Sequence, residues 1–504
     1  DSIENKNKFN KLEKDISTDV CIVGAGIFGL TCGYYLTKQG YNVVLLEKEK
    51  DIASKTTGHT TAKITSQHNL IYKYLIDSLG ESMAKKYLYA NQDAIENIYQ
   101  IINDENIDCD FVRQDSYVYT NNLDELEKIK LENKAVNSLG FKSEFVTSTP
   151  LPFNVLGALR FPNQAEFNPI KYAYGLAKCI VNNNSRIFEN SQVTDIKKSN
   201  GKYEIYVDKN KVTADYVVIA TRYPFIKIPG YYFLKMYQST SYAIVADVKR
   251  ELFDGMYINY EVPNMSFRVI EDNGKKLLLA VGYDYKTGTE ELKNGYTRLE
   301  MAVRKMYPDA EVLYKWSAED CISLDKIPYI GDFSVTMPNV YVATGFNKWG
   351  ITSSNVAANI IADKILGKEN EYEDLVKARR VEPIKNRVEV GNMLKEANKS
   401  ILMSRFKMPK NEIDDIKIGD IVVVEPLLYC TKCEMCNEGR IQFCKNIRSL
   451  GRELQGGFAE YVVVNERQVY KIDDDVDKKN IAFKCSCPSR KFPCKHGVGL
   501  LFMY

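Results

Sequence analysis

The stretch from residue 18 to 47 limits the possible folds of this chain more than any other part of it. Asp19-Val-Cys-Ile-Val23 is a short, β-branched apolar run of the kind that forms a buried parallel strand. It leads directly into Gly24-Ala25-Gly26-Ile27-Phe28-Gly29, then into a helically spaced segment from Leu30 to Lys38 and a turn at Gly40. A second apolar strand, Tyr41 to Leu46, ends at Glu47, followed by Lys48. Gly24 permits the tight turn, Gly26 lets the backbone approach a diphosphate, and Gly29 lets the helix pack against the strand. The helix N-terminus then offers N–H groups and a positive dipole end to phosphates. Glu47 lies 18 residues past Gly29, where a carboxylate can accept hydrogen bonds from ribose hydroxyls. The reading is a dinucleotide-binding βαβ unit, with a fortuitous glycine-rich turn as the alternative.

Composition sets the outer bounds. The chain has 504 residues, which at ~150 residues per domain is about three domains. Sixty-eight Lys and Arg against 66 Asp and Glu leave a net charge of +2, so no overall field draws the chain to nucleic acid or anionic membrane. No apolar run approaches the ~20 residues of a membrane-spanning helix, and the polar start is not a signal peptide. A start at Asp1 suggests a trimmed or partial chain. The expectation is a soluble, cytoplasmic protein.

Cysteine and histidine are unevenly placed. Cys21, Cys32, Cys109, Cys179 and Cys321 are scattered and read as small buried hydrophobes. The other seven fall between Cys430 and Cys494, with the short spacings of metal sites. The only histidines are His59, His68 and His496.

The segment after Glu47 helps decide which dinucleotide. Lys55-Thr56-Thr57-Gly-His59-Thr60-Thr61-Ala-Lys63 is rich in hydroxyls and resembles the loop beneath the flavin in the D-amino-acid oxidase (glycine oxidase-like) superfamily of FAD enzymes. Ala214-Asp-Tyr-Val-Val-Ile-Ala220-Thr221 is similar to the superfamily's returning strand and ATG turn, although Arg222 replaces the glycine. Asn339 to Gly350, containing Gly345-Phe346-Asn-Lys348-Trp349-Gly350, resembles the strand and loop that close over the flavin ring. Phe161 to Pro169 and Trp316 to Gly331 resemble a bacterial subgroup of the same enzymes, so the likeness spans about residues 15 to 400.

The resemblance implies bound FAD and oxidation of a C–H bond next to an amine, with the flavin supplying the chemistry. Reduction of the ring places negative charge near N1 and C2=O, which a cation or helix N-terminus stabilises. Lys348 is the candidate side chain and the amides from Gly350 to Thr352 the backbone alternative; a solvated loop lysine is the other reading. His59, in Thr57-Gly-His59, is similar to the histidine that carries flavin covalently in sarcosine and dimethylglycine dehydrogenases; the alternative is free flavin with His59 hydrogen-bonded nearby. Tyr237–Val248, Met256–Ile270 and Lys276–Tyr283 have strand composition and turn-like joins, as a substrate-facing sheet would. Within it, Arg268 is a candidate clamp for a substrate carboxylate, with Tyr257 and Tyr285 as candidate wall residues. An exposed strand arginine is the plainer reading, and no general base is evident.

After about residue 410 the pattern changes. Relatives in the subgroup often carry a Rieske cluster, which needs two Cys and two His. Beyond His68 this chain has one histidine, so it cannot build a single-chain Rieske site. Cys430-x2-Cys433-x2-Cys436-x7-Cys444 is instead a four-thiolate set suited to closed tetrahedral zinc. Residues 417–474 resemble the GroES-like domain of zinc-containing medium-chain alcohol dehydrogenases, without that family's catalytic zinc ligands or nucleotide fold. Cys485-x-Cys487-x6-Cys494-x-His496 resembles a SWIM zinc finger, a module associated with protein or nucleic-acid contacts. Reduced, metal-free thiols are the alternative at both.

The sequence therefore predicts an α/β chain: a Rossmann-type FAD-binding domain with an inserted antiparallel β-rich substrate domain (1–410), a GroES-like zinc lobe (411–477) and a SWIM-type finger (478–504). FAD-binding parts fall at about 15–100, 160–225 and 318–370, and substrate parts at about 101–160 and 226–317. The expected function is an FAD-dependent oxidoreductase acting on a small amine or amino acid. The alternative is a zinc-dependent binding or scaffold protein whose flavin half is not catalytic.

Overall fold

A computed structural model describes residues 8–226, 229–232, 235–272, 274–288 and 294–380. Beyond these it describes residues 422–424, 427–428, 430, 432–437, 444, 446–449 and 469–471. Contacts divide the chain into two units, Asp1–Val390 and Gly391–Tyr504.

The first unit is a mixed α/β body built on two sheets. One contains β1 (Ile16–Val23), β2 (Val43–Leu46), β7 (Arg186–Phe188), β10 (Asn210–Ile219), β16 (Tyr329–Ser334) and β17 (Met337–Thr344), in the order β16-β17-β10-β1-β2-β7. The strands β8 (Val193–Ser199) and β9 (Lys202–Val207) fold back onto β10. β1 lies parallel to both β2 and β10, with Val20 opposite Val43 on one side and Tyr216 on the other. A strand so flanked buries both faces, which is why Val20 to Val23 are apolar without alternation. Helix α1 (Ile27–Lys38) starts three residues after β1 and packs on α5 (Pro169–Asn182) and α7 (Gly350–Ile365). The entry turn depends on two glycines. Gly24 sits at φ +109°, and a Cβ on Gly29 would lie 2.0 Å from the Gly24 carbonyl oxygen.

The second sheet contains β3 (Lys63–Ile64), β4 (Val112–Thr120), β5 (Glu144–Val146), β6 (Gly157–Glu166), β11 (Met236–Asp247), β12 (Met256–Asn259), β13 (Met265–Asp272), β14 (Lys275–Lys286) and β15 (Glu311–Ser323). Its order is β15-β11-β14-β13-β12-β4-β6-β3, with β5 on β6. Every pairing is antiparallel except β4 with β12. Alternation decides which residue faces what. Ile244, Ala246, Tyr257 and Phe267 pack with Leu299 and Val303 of helix α6 (Gly295–Met306), whereas Val245, Leu277, Leu279 and Trp316 form a separate cluster. The stretch from Met256 to Ile270, expected as one strand, is two. The segment around Pro263, which has no N–H to donate, turns the chain so that Tyr257 pairs with Phe267. Helices α2 (Tyr72–Leu79), α3 (Glu81–Asp104) and α4 (Leu123–Ser138) complete the unit.

In the second unit, Val422–Val424 pairs antiparallel with Val469–Lys471, and Leu427–Leu428 with Arg448–Ser449. A single helical turn, Glu434–Asn437, lies between the cysteines. Cys485, Cys487, Cys494 and His496 lie outside the described residues. Among the described residues no helix is long and apolar enough to cross a membrane.

Candidate cofactor and substrate cavity

Where β1, β2, β10 and β17 end, a cavity of about 670 Å³ opens. This falls within the ~300–1,000 Å³ typical of cofactor and small-molecule sites. The glycine turn supplies Gly24, Gly26, Ile27 and Phe28 to its wall, and the end of β2 supplies Glu47 and Lys48. Thr56, Thr57 and Thr60 come from the hydroxyl-rich loop, Ala220 and Thr221 from the end of β10. Gly345, Phe346, Lys348 and Gly350 come from the turn that starts α7.

Other predicted residues support this wall from behind. The Ala25 N–H donates to Glu47 Oε2 at 2.9 Å, and the Glu49 N–H to Glu47 Oε1 at 3.0 Å, which fixes the carboxylate at the turn. Gly29 serves the turn's packing rather than the cavity. Thr61 is absent from the lining.

The structure places other predicted residues outside the cavity lining. Trp349 turns away from the cavity and stacks on His68, with ring centroids 4.7 Å apart. Thr352 is buried behind it, its hydroxyl donating to the Thr65 carbonyl at 3.3 Å. His59 is half-buried but does not line the cavity; its Nδ1 lies 2.7 Å from the Lys55 carbonyl oxygen, and its own carbonyl accepts from Trp316 Nε1 at 3.0 Å. Tyr257 is wholly buried, stacked on Tyr117 at 4.8 Å with its hydroxyl donating to the Asp254 carbonyl, because its alternation faces α6. Tyr285 stacks on Tyr242 at 5.8 Å.

Arg268 also departs from expectation, being neither exposed nor free to clamp a carboxylate. Its guanidinium meets Glu166 at 3.1 Å, and both side chains are largely buried. Lys63, opposite Glu166 on β3, donates to the Tyr257 carbonyl and to Ser266, and burial beside Arg268 lowers its ammonium to about 7. Arg268, Glu166 and Lys63 offset one another's charge inside the body of the sheet, while Arg268 Nε has no hydrogen-bond partner.

Sequence reasoning missed two sets of residues. His68 is buried, Nδ1 2.7 Å from the Tyr87 hydroxyl and Nε2 2.9 Å from the Thr65 carbonyl; burial pushes it down to about 3, so the ring is neutral. Its partners are scattered along the chain, and no local pattern marks them. The other set is the β15 edge of the cavity, Glu319, Asp320 and Cys321. Arg222, which stands where the related turn has glycine, donates to Glu319 Oε2 at 2.6 Å and to the Glu319 carbonyl at 2.9 Å. Lys348 Nζ lies 2.8 Å from Asp284 and donates to Ser241 Oγ at 3.1 Å. Burial pushes the Cys321 thiol up to about 12, so it stays protonated. Two adjacent acids, Glu319 and Asp320, near the end of β15 were the available sequence signal.

The cavity suits a dinucleotide on its own geometry. A Cβ added to Gly26 would meet only Thr57 Oγ1, at 3.4 Å, and would otherwise enter the cavity; no packing within the protein requires glycine there. Helix α1 begins at the same residue, which has no side chain to cap it; Thr57 Oγ1 takes the Ile27 N–H at 3.0 Å, and the positive end of the helix meets the cavity wall.

In the second unit the Sγ atoms of Cys430, Cys433, Cys436 and Cys444 all lie within 4.8 Å of one another, three of the pairs at 3.5 to 3.9 Å. Tetrahedral zinc with Zn–S bonds of about 2.3 Å requires sulfur separations of about 3.8 Å, so the set fits the ion. The Cys430 N–H donates to Cys444 Sγ at 3.4 Å.

Residues 19–364 match the FAD dependent oxidoreductase family, and the chain belongs to it. Its cofactor is FAD. Residues 407–474 match the alcohol dehydrogenase GroES-like domain and 475–504 the SWIM zinc finger, so with the four-thiolate set the C-terminal segments are zinc-binding. The putative Rieske 2Fe-2S iron-sulfur protein YhfW of Bacillus subtilis is 35% identical over 413 residues, covering 82% of this chain and 81% of that protein. Gamma-glutamylputrescine oxidoreductase of Escherichia coli is 24% identical over 72% of this chain and 87% of its own length. Among solved structures, glycine oxidase from Geobacillus kaustophilus superposes with a TM-score of 0.59 at 18% identity, over 73% of this chain and all of that one.

Proposed function

We propose that the chain oxidises the C–N bond of a small amine or amino acid, the hydrogen on the adjacent carbon leaving as hydride to flavin N5. The observation that carries this reading is one continuous cavity that joins the glycine turn at the start of α1, which suits the FAD diphosphate, to the β15 edge of the second sheet. Gamma-glutamylputrescine oxidoreductase and glycine oxidase, by their names, act on compounds with oxidisable C–N bonds.

In this reading Gly24 to Phe28 hold the diphosphate, Glu47 the ribose, and Thr56, Thr57 and Thr60 the middle of the cofactor. FAD, when bound, accepts two electrons and a hydrogen. Lys348 supplies positive charge at the ring end, steadied there by Asp284 and Ser241. The second sheet forms the substrate wall, and the zinc segments brace their own folds. The test is anaerobic addition of primary amines, secondary amines and amino acids to the purified holoprotein. Bleaching of the visible flavin absorption by at least one of them is expected; a yellow protein that none of them bleaches ends the reading.

A further inference from the structure

The described charges at the β15 edge can be paired off one by one. Arg222 is held by Glu319 at 2.6 Å, and Lys348 by Asp284 at 2.8 Å. Arg268, deeper in the sheet, is held by Glu166 at 3.1 Å. What remains is Asp320, which lines the cavity between these pairs, half-buried, its carboxylate without a hydrogen bond or ion pair among the described residues. With Asp320 ionised, the five groups Arg222, Glu319, Lys348, Asp284 and Asp320 sum to one negative charge. No cation at this edge is left over to take a substrate carboxylate, whereas one acid is left over to take a substrate cation. Among the described residues of the second sheet only those of β15 reach the cavity wall, so Asp320 stands where the proposed substrate wall meets the cofactor.

We infer that Asp320 binds the substrate's ammonium group and takes its proton before oxidation. The inference rests on the amine-oxidising reading above and supplies the base that the sequence left unnamed. The substrate arrives as R2CH–NH3+, and its N–H donates to the Asp320 carboxylate. The N–H bond breaks, the proton passes to the carboxylate, and a neutral amine and a carboxylic acid result. The α C–H bond then breaks, hydrogen and both electrons leaving to oxidised FAD, while the nitrogen lone pair forms the C=N bond of an iminium that water hydrolyses.

The groups facing Asp320 suit this exchange. Burial raises its carboxyl and Asp284 from β14 adds to the rise; Lys348 and Arg222, each already committed, pull it back. A carboxyl so balanced is a better proton acceptor than a solvated one, because it holds the proton more tightly.

The experiment compares holoprotein with Asp320→Asn and Asp320→Glu. Flavin content comes first, and all three are expected to retain FAD; loss of flavin in both variants would place Asp320 in cofactor retention and overturn the inference. Butyltrimethylammonium, which cannot be oxidised by loss of an N–H proton, is then titrated against the flavin spectrum. D320N is expected to bind it about tenfold more weakly and D320E close to wild type. Anaerobic flavin reduction is followed from pH 6 to 9 with n-butylamine, N-methylbutylamine and glycine. D320N is expected to be slower by about a hundredfold near pH 7 and to lose the acid limb of the wild-type profile. Wild type reduced normally while D320N matches it in rate, profile and cation binding overturns this inference alone. A wild type that no amine reduces removes the amine-oxidising reading and the proton-transfer step with it.

Discussion

Gly26→Ala separates a residue kept for a ligand from residues kept for the fold. Gly26 has φ −78° and ψ −176°, extended backbone open to any residue. The added Cβ meets one atom within 4 Å, Thr57 Oγ1 at 3.4 Å. Two opposed effects act on the apoprotein: a gain of ~0.4–1 kcal/mol from a less flexible unfolded chain, and a loss of about 1 kcal/mol because alanine is a poor N-cap. They nearly cancel, so the apoprotein should melt close to wild type. FAD binding is another matter. The methyl group occupies the space through which a diphosphate reaches the amides at the start of α1. Loss of one or two charge-assisted hydrogen bonds, ~1.5–3 kcal/mol each, weakens binding by roughly ten- to more than a hundredfold. Gly29→Ala behaves in the opposite way, because its Cβ would lie 2.0 Å from the Gly24 carbonyl oxygen and must push the turn apart; apoprotein stability itself should fall by ~1–3 kcal/mol. The assay is a flavin-fluorescence titration of both apoproteins beside their thermal melts. Wild-type FAD affinity in Gly26→Ala, or a loss of affinity only in step with a loss of apoprotein stability, refutes the reasoning.

Arg268→Met should cost ~3–5 kcal/mol in urea denaturation by leaving Glu166 buried against Lys63 alone, and Glu166→Gln in the same chain should recover most of it; unchanged stability with a raised KM would restore the carboxylate clamp. His68 gives a pH signature. Its folded pKa of about 3 lies below the unfolded value of 6.5, so its contribution is present above pH 6.5 and is lost as the unfolded chain takes up the proton on acidification. Wild type should lose about 2 kcal/mol from this source between pH 7.5 and pH 5, and His68→Gln should lack that component. Equal slopes in the two proteins would show that the ring is not held neutral.

The parts legible in the sequence were those written in contiguous residues. The βαβ turn needs glycines at fixed offsets, and strands buried on both faces need unbroken apolar runs, so β1, α1 and β2 stood where expected. The four thiols were legible for the same reason, their short spacing marking a set whose sulfurs the fold brings within 4.8 Å of one another. What local pattern could not carry was direction. Tyr257 and Arg268 sit on adjacent strands, yet one faces α6 and the other a buried carboxylate from β6, and only the register between β12 and β13 decides which. Trp349 lies in the turn that resembles a flavin-closing loop, but a stacking partner from a distant segment claims it. The pairing of Arg222 with Glu319 and of Lys348 with Asp284 likewise joins residues far apart in the chain, and Asp320 stands out only after those pairs are known.

The C-terminal segments bear on how electrons can leave. The Bacillus subtilis relative is named as a Rieske protein, and a Rieske centre needs two histidines beside two cysteines. Past His68 these 504 residues contain His496 alone, and residues 407–504 match zinc domains instead. Zinc has a filled d shell and carries no electrons, and four thiolates leave it no open position for a reactant. Zinc in that set can stabilise the fold around it but cannot relay charge.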